Sequence, residues 1–201
     1  MNFKITILGF SLLMLISCGE NPFSVDSRFL LGDAVLDYLP TARSSILYMA
    51  PFGFNGSFFH NGIDFGCHGK ALFYSCADGV VTEVNLNTGE GYPGTNYRIR
   101  ISVSPRMTVE YHFEIGGNAS EQERKDNIFV SKGDRVQGGQ PIAYLLNLCG
   151  DAHVHFQVEK NGETSECPLN FFSSQLALEL EDIYDDPAVQ KRPDTRENLC
   201  E

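Results

Sequence analysis

The sequence predicts a mainly β protein, built as a single antiparallel sheet or sandwich-like domain. Runs rich in Val, Ile, Phe and Tyr recur between clusters of Gly, Asn and Asp. Several of these runs alternate apolar and polar residues with the two-residue period of a half-buried strand. The chain has 201 residues and 42% hydrophobic content, enough for one domain with a real core plus terminal segments. It shows no internal repeat and no second domain.

The elements follow in chain order. Residues 1–17 read as an export signal: Lys4 near the start, then an apolar run from Ile5 to Ile16 that is too short to span a membrane comfortably. The run ends in Leu15-Ile16-Ser17-Cys18, which resembles a bacterial lipobox, so Cys18 is the expected lipidation site and first mature residue. Acyl chains there would anchor the protein to a membrane. The second mature residue would be Gly19 rather than Asp, which carries no inner-membrane retention signal and favours a periplasm-facing outer-membrane location in the cell envelope.

Residues 18–37 read as a tether ending in a short helical piece. Residues 38–172 form the domain. Strands are expected at ALFYS (71–75), GVVTEV (79–84), YRIRISV (97–103), TVEYHF (108–113), PIAYLL (141–146) and AHVHFQVE (152–159). Turn signals divide them, of which Asn161-Gly162 is the strongest hairpin signal. Ser120-Glu121-Gln122-Glu123 has the Ser-x-x-Glu capping form and predicts one or two helical turns. Residues 173–201 are rich in acids and read as a solvated C-terminal tail.

The net charge of −11 and pI of about 4.8 argue against a nucleic-acid partner. Export permits disulfides among Cys67, Cys76, Cys149, Cys167 and Cys200. Their spacing fits no zinc knuckle and does not fix the pairing. Cys167 with Cys200 is one attractive pairing, since it would tie the acidic segment to the domain.

The chemistry lies in the histidines, at positions 60, 68, 112, 153 and 155. In HNGID, an extended chain would separate His60 and Asp64 by about 13 Å. Two ligands of one zinc must bring their donors within about 4 Å of each other. The segment must therefore bend, and Gly62 would allow it. In AHVHFQVE, His153 and His155 share a face opposite Val154, Phe156 and Val158. Such a pair can divide into a metal ligand and a histidine that handles a proton. In EYHF, His112 shares a face with Glu110 and is a candidate partner across the sheet. Each histidine taken singly could equally be a polar strand residue.

HNGIDFG, YHFEI, FVSKGDRVQGGQPIAYL and AHVHFQVEKNG, in that order over roughly residues 50–172, resemble the lysostaphin-type zinc metallopeptidases. The resemblance implies the duplicated hybrid motif fold, Zn²⁺ as cofactor, and hydrolysis of peptide cross-links in peptidoglycan. It implies His60, Asp64 and His155 as zinc ligands, with His112 and His153 as the catalytic histidines. All five positions are filled, which favours an active enzyme, expected to be a monomer. The chain departs from the family pattern in three places. Its tyrosine, Tyr111, is displaced by one position before His112. The approach to His153, from Leu148 to Ala152, is short. Residues 116–127 form an insertion. His68 matches no family role and reads as a rim or surface residue.

Two other readings compete. One is a binding or hydrolase-regulating module of the same fold, without turnover. The other is an unrelated extracellular carbohydrate binder, which would leave the histidine pattern unexplained and has no tryptophan to offer as a platform.

Overall fold

Strand alternation along the chain becomes one large sheet in the computed structural model, which describes residues 34–55, 58–88, 96–148, 150–192 and 197–200. Its strands are Ile46–Ala50 (β1), Gly53–Asn55 (β2), Phe58–His60 (β3), Ile63–Cys67 (β4), Ala71–Tyr74 (β5), Gly79–Asn85 (β6), Tyr97–Ser104 (β7), Met107–Glu114 (β8), Arg135–Val136 (β9), Pro141–Leu145 (β10), His153–Lys160 (β11) and Gln190–Lys191 (β12). Eight of them form a sheet in the order β12-β1-β4-β11-β8-β7-β6-β9. All its pairings are antiparallel except that of β12 with β1. β5 pairs with β10, and β2 with β3, in two small ribbons. Each of the six strands expected from the sequence is present within a residue or two.

The register sorts side chains by face. Val154 lies opposite Phe113 and Phe65, and Phe156 opposite Tyr111 and Ile63. These six side chains are fully buried, together with Tyr97, Ile99 and Ile101 of β7. The β5–β10 ribbon covers this face: Phe73 meets Phe113 edge-on at 5.5 Å, and the Tyr97 hydroxyl donates to the Tyr144 carbonyl. Tyr111 belongs to this core, where its hydroxyl accepts from the Cys76 N–H at 2.9 Å. The displaced tyrosine therefore points away from His112, across the thickness of the sheet. Asn161 (φ 55°) and Gly162 (φ 86°) make the left-handed turn that ends β11. Ser120 caps a helix at Glu121–Asp126 (α1) through a reciprocal capping box with Glu123.

The C-terminal segment departs from expectation. It is not a solvated tail. Ser174–Tyr184 (α2) is helical, with Leu180, Ile183 and Tyr184 fully buried. β12 extends the sheet, Leu199 is buried, and Cys167 and Cys200 form a disulfide with Cα atoms 5.8 Å apart. The acids alternate with apolar residues at helical spacing, so a high charge coexists with a packed helix. Cys67 and Cys76 are buried thiols, both pushed up to about 12 by desolvation. Cys18, Cys149 and nearly all of the expected tether lie outside the described residues. Among those described, no helix is long and apolar enough to cross a membrane.

Candidate metal centre and groove

The other face of the sheet carries the polar residues. Strand pairing arranges them in rows. One row runs Asp64, His155, His112, Arg98; the next holds Gln157, Glu110 and Arg100; a third runs Tyr48, Gly66, His153, Glu114. β3 brings His60 over the first row. All of these but Tyr48 and Gly66 line a groove of about 630 Å³, to which Phe58 and Phe59 also contribute.

His60, Asp64 and His155 converge. His60 Nε2 lies 3.1 Å from Asp64 Oδ1 and 3.1 Å from His155 Nδ1, and His155 Nδ1 lies 2.8 Å from the same Asp64 oxygen. The far side of each ring decides what faces inward. His60 Nδ1 sits 2.6 Å from the Pro51 carbonyl, which can only accept, so Nδ1 carries the proton. His155 Nε2 donates in the same way to Gln157 Oε1, 3.3 Å away. Two imidazole lone pairs and a carboxylate oxygen then meet at one point, an arrangement that a cation satisfies. Two histidines, each oriented by an outer partner, and a carboxylate are a donor set suited to zinc. Burial alone would raise the Asp64 pKa, but the adjoining imidazoles of His155 and His60, with the nearby His153, hold it well below the usual carboxylate range.

Gly62 lies at the expected bend between β3 and β4 and serves this centre in a second way. A Cβ there would lie 2.6 Å from His155 Cε1 and 2.6 Å from the Phe156 carbonyl oxygen. Its contribution is the absence of a side chain beneath the His155 ring.

The two remaining histidines flank the centre. His153 Nε2 lies 3.8 Å from Asp64 Oδ2 and 3.6 Å from Glu114 Oε2. His112, opposite His155, is buried, and its Nε2 is 2.9 Å from Thr88 Oγ1. Desolvation lowers its pKa below the ordinary histidine value, against the opposing pull of Glu114. His68 is exposed.

The sequence reading singled out neither arginine. Arg98 binds Glu83 through Nε and NH2, and Arg100 lies 3.3 Å from Glu110 Oε2 while donating to Glu159. Burial raises the Glu110 pKa despite both guanidinium groups. The signal was the Arg-x-Arg alternation within YRIRISV, whose meaning depends on which strand pairs beside it.

A mainly β domain with a His/Asp/His cluster and two flanking histidines has the composition of a metallopeptidase site. Residues 58–167 match Peptidase family M23, and the chain belongs to that family. Among solved structures, Csd3 of Helicobacter pylori is similar at 22% identity and a TM-score of 0.50, over 70% of this chain and 36% of that one. A zinc-containing peptidase from Vibrio cholerae is similar at 24% identity and a TM-score of 0.46, over 65% of this chain and 38% of that one. Lysostaphin, an antimicrobial peptidase from Staphylococcus simulans, is similar at 17% identity and a TM-score of 0.49, over 77% of this chain and 58% of that one. No curated protein sequence matches.

Proposed function

We propose that this protein is a zinc-dependent endopeptidase that cuts peptide cross-links of bacterial peptidoglycan. It would work as a monomer in the cell envelope, tethered by lipid on Cys18. The convergence of His60 Nε2, Asp64 Oδ1 and His155 Nδ1 on one point carries this reading. Membership of a peptidase family supports the reaction class. Zinc held by these three residues would supply Lewis acidity toward a scissile carbonyl and acidify a water molecule.

The chain's own groups do the rest. His153 presents Nε2 toward the centre, between Asp64 and Glu114, where it can accept a proton and pass it on. His112, kept neutral by burial, stands opposite His155 and can donate or accept a hydrogen bond as charge develops. The groove of about 630 Å³ beside Phe58 and Phe59 offers a peptide a place beside the centre.

The test is incubation of purified, zinc-loaded protein with peptidoglycan sacculi, followed by mass analysis of what is released. Cleaved cross-links are expected, and their masses identify the bond. His155→Ala should lose zinc, whereas His153→Ala should keep zinc and lose at least about a hundredfold in rate. Release no greater than in buffer, from protein with a full equivalent of zinc, would favour the binding-module reading instead.

A further inference from the structure

The segment beyond the family match reaches the site. β12 pairs Gln190 with Tyr48 and Lys191 with Met49, and the Arg192 N–H donates to the Met49 carbonyl at 2.9 Å. These backbone bonds place the Arg192 guanidinium 3.8 Å above the Tyr48 ring. Its NH1 donates to the Asp151 carboxylate. The cation therefore has a ring beneath it and a counter-ion beside it.

Tyr48 carries this contact across the sheet. It occupies one row with Gly66 and His153. A Cβ on Gly66 would fall 2.0 Å from Tyr48 Cε1, so only glycine lets the tyrosine lean over β4. The leaning ring comes within 6.3 Å of the His153 ring, centroid to centroid. Asp151 closes the arrangement from the loop before β11. Its carbonyl accepts from the Tyr48 hydroxyl at 3.2 Å and lies 3.4 Å from His153 Nδ1. A backbone carbonyl at Nδ1 selects the ring orientation that turns Nε2 toward the groove.

We propose that Arg192 is a positioning residue for His153: by stacking on Tyr48 and holding Asp151, it fixes the carbonyl and ring that aim the imidazole. The C-terminal strand is then part of the active-site architecture rather than an appendage. The effect on turnover rests on the hydrolase reading above; the effect on the histidine ring does not.

The experiment compares the full-length chain, in detergent and zinc-loaded, with its Arg192→Met and Arg192→Lys variants. Histidine side-chain NMR and peptidoglycan turnover are both recorded. In Arg192→Met the His153 ring signals should shift and broaden, while those of His60 and His155, the zinc content and the thermal midpoint stay as in the parent. The value of kcat should fall about tenfold with KM within about twofold, as expected when a reacting group is misaimed. Arg192→Lys keeps a cation over the ring and should recover part of both signals. Unchanged His153 signals in Arg192→Met overturn the proposal. Equal disturbance of all the histidines overturns it too, since that reports general loosening. If the parent itself turns nothing over, the hydrolase reading fails while the ring signals still decide the positioning role.

Discussion

At the scale of single residues, absence of a side chain matters as much as presence. Gly62 lies under the His155 ring because nothing projects from it. Gly62→Ala should therefore push a zinc ligand out of line. We expect zinc affinity to drop at least about tenfold and stability to fall by about 1–3 kcal/mol, the usual cost of overpacking. Competition with a metal chelator and urea unfolding measure the two effects separately. Strand alternation put His112, His153 and His155 each on a definite face, whereas the grouping of all five polar site residues came from the resemblance to a known family. The role of Gly62 was not legible, because it depends on a ring from a strand distant in sequence. Arg98 and Arg100 were hidden for the same reason: their meaning comes from pairing with Glu83, Glu110 and Glu159.

His112 also makes a residue-scale prediction. Burial lowers its pKa below the ordinary 6.5. As pH falls through that value, the unfolded chain takes up a proton before the folded one does. The contribution of His112 to stability is thus complete above 6.5 and is lost as pH falls toward the folded value. Glu110 has the opposite sign: its pKa is raised above 4.5, so its contribution weakens as pH rises through the window above that value. In zinc-free protein, His112→Gln should flatten the acid-side decline of the urea midpoint below about pH 6.5. A decline as steep as in the parent would contradict this.

At the scale of elements, the C-terminal segment carries the clearest lesson. Leu180, Ile183 and Tyr184 form a buried stripe on α2, with Leu176 partly buried one turn earlier. Acids at intervening positions mask that stripe in any reading based on charge. The strands were easier to read because their two-residue period survives a few polar substitutions. β1, β2 and β3 were harder, being short and without clean alternation. If α2 and β12 are structural, Leu180→Ala should cost about 2–5 kcal/mol. Cys200→Ser, which opens the link to Cys167 across a sequence separation of 33, should cost about 2–4 kcal/mol. Equilibrium unfolding under non-reducing conditions gives both values, and near-zero costs would return the segment to a peripheral role.

At the scale of the whole molecule, the proposed metal centre would be a tie between strands. His60 ends β3, Asp64 lies in β4 and His155 in β11. A cation bound by all three in the folded state and by none in the unfolded state stabilises the fold by mass action. With free zinc at about a hundred times its dissociation constant, the gain is about 2.7 kcal/mol. Chelation should lower the thermal midpoint and zinc should restore it, whereas the His155→Ala midpoint should not respond. The charge of the whole chain was read directly from composition. How β12 and Arg192 come to lie beside the site required three dimensions.

The shared face of β8 and β11 has one more consequence. His112, Glu110 and Glu114 sit on the same side of the sheet as His153, His155 and Gln157, and their neighbours in sequence fill the core. A slip of either strand by one residue would bury these polar groups and strip the core of its aromatics. The alternation that builds the proposed site therefore also proofreads it. A chain that pairs these strands wrongly loses its core together with that site, so correct folding and the proposed function stand or fall together.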